Sequence, residues 1–198
     1  AAAPRTPAAR DLPSGAAGKV RAICERHART FCRRTLPGFT REVVDELFNQ
    51  SRTATTLADQ SGLGQVYRAL RDQQAQLPDR FERVLLDGLA GLGETPRQRP
   101  QPSAETESLN ELELVDEQQF EDWLQRSEIV SNAEARNRIA LTALNRRLSH
   151  VLDSQLDERS NILAPDGFAE SLSEVLGLEQ KPPRAVHTIY EVFDRRVL

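Results

Sequence analysis

With 198 residues, 38% hydrophobic and only 5% aromatic, the chain suffices for one domain or two small ones, with a core mainly of Leu, Val, Ile and Ala. Leu and Ala favour helices, and the residues that favour strands are few, so composition points to an all-α fold. The net charge of −4 argues against a strongly basic nucleic-acid binder, and no run approaches the roughly 20 apolar residues of a membrane span.

Residues 1–18 (AAAPRTPAARDLPSGAAG) are rich in Ala, Pro and Gly and contain no apolar run of the kind a secretory signal needs. They read as a linker or tail, left at the front of a segment of a longer protein. Residues 19–93 read as a small helical bundle. Its first helix is expected over Ala16–Thr35, where Val20, Cys24, His27 and Phe31 recur at helical spacing. Pro37-Gly38 is expected to end it. A second helix is expected from Thr40, as N-cap, to Asp59, with a break within Ser51–Thr56. Gly62 and Gly64 then punctuate the chain before a third helix over Gln65–Gln76, and Pro78 opens a fourth that ends near Leu92.

Residues 94–108 (ETPRQRPQPSAETES) lack any large apolar side chain and read as a flexible linker. Charge changes sign around it: residues 1–100 carry +5 and residues 101–198 carry −9. Residues 109–198 read as a second helical segment. Asp116 is placed to cap a long helix over Glu117–Leu152, with Gln119 at the capping-box position. Phe120, Trp123 or Leu124, Val130, Leu141, Leu144, Leu148 and Val151 would share its broad apolar face, and Ser131–Arg138 would form a kink or an exposed turn. Asn161–Pro165 is a candidate ordered turn. Helices are expected over Pro165–Leu176, capped by Gly177, and from Pro182-Pro183 to the last residue. How the two segments pack is left open by the sequence.

Few residues form a chemical constellation. Cys24, His27 and Cys32 are the only metal-like group, but on a helix Cys32 and His27 stand about 140° apart and do not converge on one ion. Buried free thiols in a reducing compartment are the simpler account, because eight helical residues separate the two Cys by about 12 Å. His150 and His187 have no nucleophile elbow to join, and Ser61-Gly62-Leu63-Gly64 lacks the Lys-Ser/Thr of a phosphate loop. The acidic cluster from Glu111 to Asp122 lacks the spacing of a Ca²⁺ loop and reads as solvated charge at a helix start. No catalytic residue, cofactor or metal is expected.

Two surfaces remain. Arg26, Arg29 and Arg33 (with Arg21 and Arg34) form a basic face on the first helix, a candidate contact for a nucleic acid or a cyclic dinucleotide. Solvation or protein contact is favoured there, because aromatics for base stacking are scarce and no helix-turn-helix pairing is evident. Trp123, Tyr190, Phe193 and Val197 are candidate contacts to a protein partner or to the remainder of the same polypeptide.

Leu112–Leu124 (LELVDEQQFEDWL), then Ala140–Leu148 (ALTALNRRL), Asn161–Pro165, Phe168 and Ile189–Phe193 (IYEVF), together resemble the bacterial domain of unknown function 1631 family. The resemblance covers residues 109–198 well and residues 40–90 more loosely. It implies the N-terminal part of a long, multidomain cytoplasmic protein, with no catalytic residues to carry over. The family's turn usually starts Asn-Pro, and here Asn161 is followed by Ile162. The whole reading is a non-enzymatic helical interaction or regulatory module. A nucleotide or nucleic-acid binder, and a supporting domain of an enzyme, are the alternatives.

Overall fold

The computed structural model describes residues 15–92, 117–157 and 159–198; the side chains of residues 117–122 are outside the description. The 1–18 tail for the most part, the 94–108 linker, the Asp116 cap and Phe120 therefore lie outside the described residues. Within them the fold is all-α. Six helices succeed one another: α1 Gly15–Thr53, α2 Leu57–Gln73, α3 Leu77–Ala90, α4 Glu117–Leu152, α5 Pro165–Leu176 and α6 Pro183–Arg196, with a 3-10 turn at Leu178–Gln180 between the last two.

Helix α1 corrects the expectation of two shorter helices. It runs unbroken through Pro37-Gly38 for 39 residues, about 58 Å. Proline removes the N–H that would bond the Arg33 carbonyl and crowds the preceding turn, at a cost of about 3 kcal/mol. Here Pro37 and Gly38 face solvent, while Cys32, Leu36, Phe39, Val43 and Leu47, on both sides of the proline, are almost fully buried in one core. Burial of one such side chain contributes about 1.5–3 kcal/mol, so a continuous buried stripe outweighs the proline. Thr40, expected as an N-cap, lies inside the helix. Its hydroxyl donates to the Leu36 carbonyl at 2.7 Å.

The break within residues 51–56 is present. Thr56 caps α2: its Oγ1 accepts from the Asp59 N–H at 3.1 Å, and its hydroxyl donates to Asp59 Oδ2 at 2.7 Å. Helix α2 begins earlier than expected and contains Gly62 and Gly64. Gly62 is a site of close approach rather than a break: a Cβ there would meet the Pro182 ring at 3.2 Å, where the start of α6 crosses α2. Helix α3 starts with Pro78 in its first turn, as expected. Helix α4 has the expected limits and is continuous. Its middle turns, residues 135–140, are exposed.

The helices before and after residues 93–116 bury their apolar faces in a common core. Helix α1 packs against α2, α3, α4 and α6, and α3 packs against α5. Phe39 of α1 meets Phe193 of α6 edge-on at 5.6 Å between ring centres, and Phe168 of α5 lies 5.6 Å from Phe31 and 6.0 Å from Phe81. Polar contacts cross the same seam. Glu42 of α1 binds both Arg195 and Arg196 of α6, Thr188 donates to Gln50 Oε1 at 2.8 Å, and Arg80 donates to the Val175 carbonyl at 2.9 Å.

The turn before α5 is fixed by Asn161. Its side-chain amide donates to Asn145 Oδ1 of α4 at 2.7 Å, and its own Oδ1 accepts from the Leu163 N–H at 2.9 Å. Both Asn side chains are buried, so this pair satisfies polar groups that would otherwise be costly. The Asn side chain makes the turn without the proline usual after it. Gly177 ends α5 in the left-handed conformation at φ 59°, as expected of a glycine C-cap.

Two outcomes are expected. A Cβ at Gly167 would lie 2.4 Å from the Ile162 carbonyl oxygen and 2.6 Å from its Cα. Gly167→Ala should therefore destabilise by about 3 kcal/mol in chemical denaturation; a loss under about 1 kcal/mol would show that the turn shifts freely. Burial pushes the Glu42 carboxyl up, but hydrogen bonds and charge from Arg196 and Arg195 outweigh it and hold the group below its ordinary value. Its contribution is present above the unfolded carboxylate pKa and is lost as pH falls through the lower folded value. E42Q should melt below wild type at pH 7, with the gap closing below about pH 4; a gap independent of pH would refute the charge clamp.

Candidate functional site

The residues nominated from sequence have divergent fates. Tyr190 and Phe193 are not surface contacts: they are 3% and 0% exposed, because α6 turns this face onto α1 and α4. Val197 is half-buried against the same core. The apolar stripe of α6 is thus spent inside the fold, and its expected role as a docking surface is corrected. Trp123 is 47% exposed, with Leu124 beside it at 52%.

Arg26, Arg29 and Arg33 all lie on the outer side of α1 and are exposed. Two of them have a structural task. Arg29 pairs with Glu82 of α3 at 2.8 Å and Arg33 approaches the same carboxylate at 3.7 Å. Only Arg26 of the three has no ion pair among the described residues. A phosphate would have to compete with Glu82 for the other two, which weakens the case for an anion site.

Cys24 and Cys32 are free thiols, half-buried and fully buried respectively. Burial pushes Cys32 up to about 11, with the Glu82 charge adding to it, and burial followed by the Glu25 charge raises Cys24. Among the described residues no group of His, Cys, Asp and Glu is placed to hold a metal ion. His187 pairs with Glu191 one helical turn away at 3.2 Å and does not approach His150 in any described contact.

A cleft of about 900 Å³ opens where the end of α1, the middle of α2, the start of α4 and the start of α6 meet. Gln50, Leu124, Gln125, Glu128, Arg184 and His187 are among its lining residues. Most of its polar groups are already engaged. Arg184 pairs with Asp59 at 2.9 Å, Gln125 donates to the His187 carbonyl at 3.2 Å, and Gln50 accepts from Thr188. The cleft presents no nucleophile beside a base, and its groups tie the four elements together.

The more distinctive surface is one that the sequence reading passed over. On the C-terminal half of α4, Ile139 is 87% exposed, the most exposed of the large apolar side chains described. Thr142, Ala143, Arg146 and His150 continue from it along the helix, with Arg138 and Arg147 on the flanks. The core side of α4 lies opposite: Val130, Leu141, Asn145 and Leu148 are buried. The available signal was phase. At 100° per residue Ile139 stands about 160° away from Leu141, off the apolar stripe to which the other residues belong.

The family described as "Protein of unknown function (DUF1631) N-terminal domain" matches residues 16–198. The chain belongs to the DUF1631 family. The match takes in both helical segments, including residues 40–90, for which sequence resemblance alone was looser, and residues 16–39, which it did not cover. No curated protein and no solved structure matches the chain. Among the described residues of this DUF1631 domain no helix is long and apolar enough to cross a membrane.

The thiol environment gives a direct expectation. At pH 8 a thiol of pKa about 11 is ionised to roughly one part in a thousand, and the thiolate is the reactive form. Cys32 should resist a disulfide-exchange reagent until the protein is unfolded, and Cys24 should react slowly. Immediate titration of both thiols in the native protein would refute this placement.

Proposed function

We propose that the chain is a non-enzymatic helical module that binds protein through the exposed stripe of α4, within a larger bacterial cytoplasmic protein. The observation that carries this reading is Ile139, a large apolar side chain left 87% in water amid a row of small and cationic groups. Leaving such a side chain exposed forgoes about 1.5–3 kcal/mol of burial, and an apolar centre within a polar rim is the usual anatomy of an interface. The description of the family as an N-terminal domain supports a module that works as part of a longer polypeptide. A regulatory rather than purely structural role fits the same surface, since a single exposed helix face binds reversibly.

Nucleic-acid or nucleotide binding through α1 has less support. Arg29 and Arg33 hold Glu82, so the basic face is partly neutralised from within.

The test is affinity capture from a bacterial lysate with the wild-type chain and with Ile139→Asp in parallel, read by mass spectrometry. Ile139 lies outside the core, so the variant should keep the wild-type melting temperature. A polypeptide retained by the wild type and reduced roughly tenfold or more by the variant is expected. Capture that is identical for the two proteins would remove α4 as the binding surface.

A further inference from the structure

The stripe on α4 has a property beyond exposure: its two ends carry opposite charge, so each complements the other when the stripe is read backwards. Taking Ile139 as the centre, residues 128, 132, 135, 139, 142, 146 and 150 fall at alternating helical spacings of four and three (four at the last step). At 100° per residue they stay within about 60° of one line. Glu128, Asn132, Ala135, Ile139, Thr142, Arg146 and His150 are all exposed. The acidic end and the basic end are separated by 18 to 22 residues, about 27–33 Å of helix.

We propose that the chain associates with a second copy of itself through an antiparallel pairing of α4 helices about a two-fold axis at Ile139. The two-fold places Ile139 on its own counterpart, Ala135 against Ala143, and Asn132 against Arg146. It places Glu128 against His150, one turn from Arg146. Such an interface is isologous, each surface serving as its own partner. Alanines on either side of the isoleucine let the helix axes approach to the short end of the usual 8–10 Å. The charges decide the direction. Antiparallel pairing sets Glu128 of one copy one turn from Arg146 of the other and keeps the two Arg146 groups apart by about 21 Å. Parallel pairing would stack Arg146 on Arg146 and Glu128 on Glu128.

This inference rests on the reading of α4 as a protein-binding surface and names its partner. One helix face buries less than a standard interface of about 1,600 Å², so the association is weak and reversible, in the micromolar range or above.

The experiment is sedimentation equilibrium of the chain from about 1 µM to about 1 mM, beside three sets of variants: I139D, the single charge reversals E128R and R146E, and the double reversal E128R/R146E. A concentration-dependent dimer is expected. I139D should raise its Kd roughly tenfold or more. Each single reversal should weaken it several-fold, because it sets like charges together, and the double reversal should restore it. Glu128, Ile139 and Arg146 are all exposed, so unchanged thermal melts confirm that folding is intact; should I139D fail to fold, the charge reversals carry the test alone. A chain that stays monomeric throughout, or a dimer indifferent to I139D and to both single reversals, overturns the proposal. A monomer that still captures another polypeptide through Ile139 overturns self-association but leaves the interaction reading standing. A monomer that captures nothing removes both.

Discussion

Helix α1 sets the geometry on which every other contact depends. Its buried stripe continues across Pro37 without a change of phase, so Ala28, Cys32 and Leu36 line up with Phe39, Val43 and Leu47 on one side of a single long rod. A break at Pro37 would rotate the second half of the stripe away from the first. Then α2 and α6, which pack on α1, could not share a core with α3 and α5. The proline is tolerated because it faces water, where its ring displaces no core side chain, and the buried stripe outweighs its cost of about 3 kcal/mol.

On that rod the two helical segments meet as one packed set. Phe39, Phe31 and Phe81 lie before residue 93 and Phe168 and Phe193 after residue 116, yet these rings contact one another across the seam. Aromatic side chains are scarce in this chain, and most of the described ones are placed where the segments join. The polar ties at the same seam, from Glu42 to Arg195 and Arg196 and from Asp59 to Arg184, add direction to an attraction that is otherwise non-directional. These ties run against the overall charge of the two halves: carboxylates of the basic first half meet arginines of the acidic second.

The distribution of burial also explains where a binding surface remains. Helix α6 has an apolar side that matches an interface in sequence and is consumed by the fold. Helix α4 commits only part of its circumference, to α1, α5 and α6, and leaves a complete outer face from Glu128 to His150 in water. On that face the residues are small, polar or charged except for Ile139, which gives the surface a centre.

By itself the sequence determined the all-α class, the limits of α4 and α5, the starts of α3 and α6, the break near Thr55 and the ordered turn at Asn161. Each of these is local: periodicity of apolar residues, a capping hydroxyl, a proline in a first turn or a glycine in the left-handed region acts within a few residues of itself. The continuity of α1, the inclusion of Gly62 and Gly64 in α2, the burial of Tyr190 and Phe193 and the pairing of Arg29 and Arg33 with Glu82 were decided by tertiary structure. In each of these cases a residue's local preference was outweighed by a neighbour far along the chain: the shared core for Pro37, the Pro182 ring for Gly62, Phe39 for Phe193. Exposure of Ile139 belongs to both levels. Its phase on the helix was legible in the sequence, but only the packing of α4 shows which phase faces water.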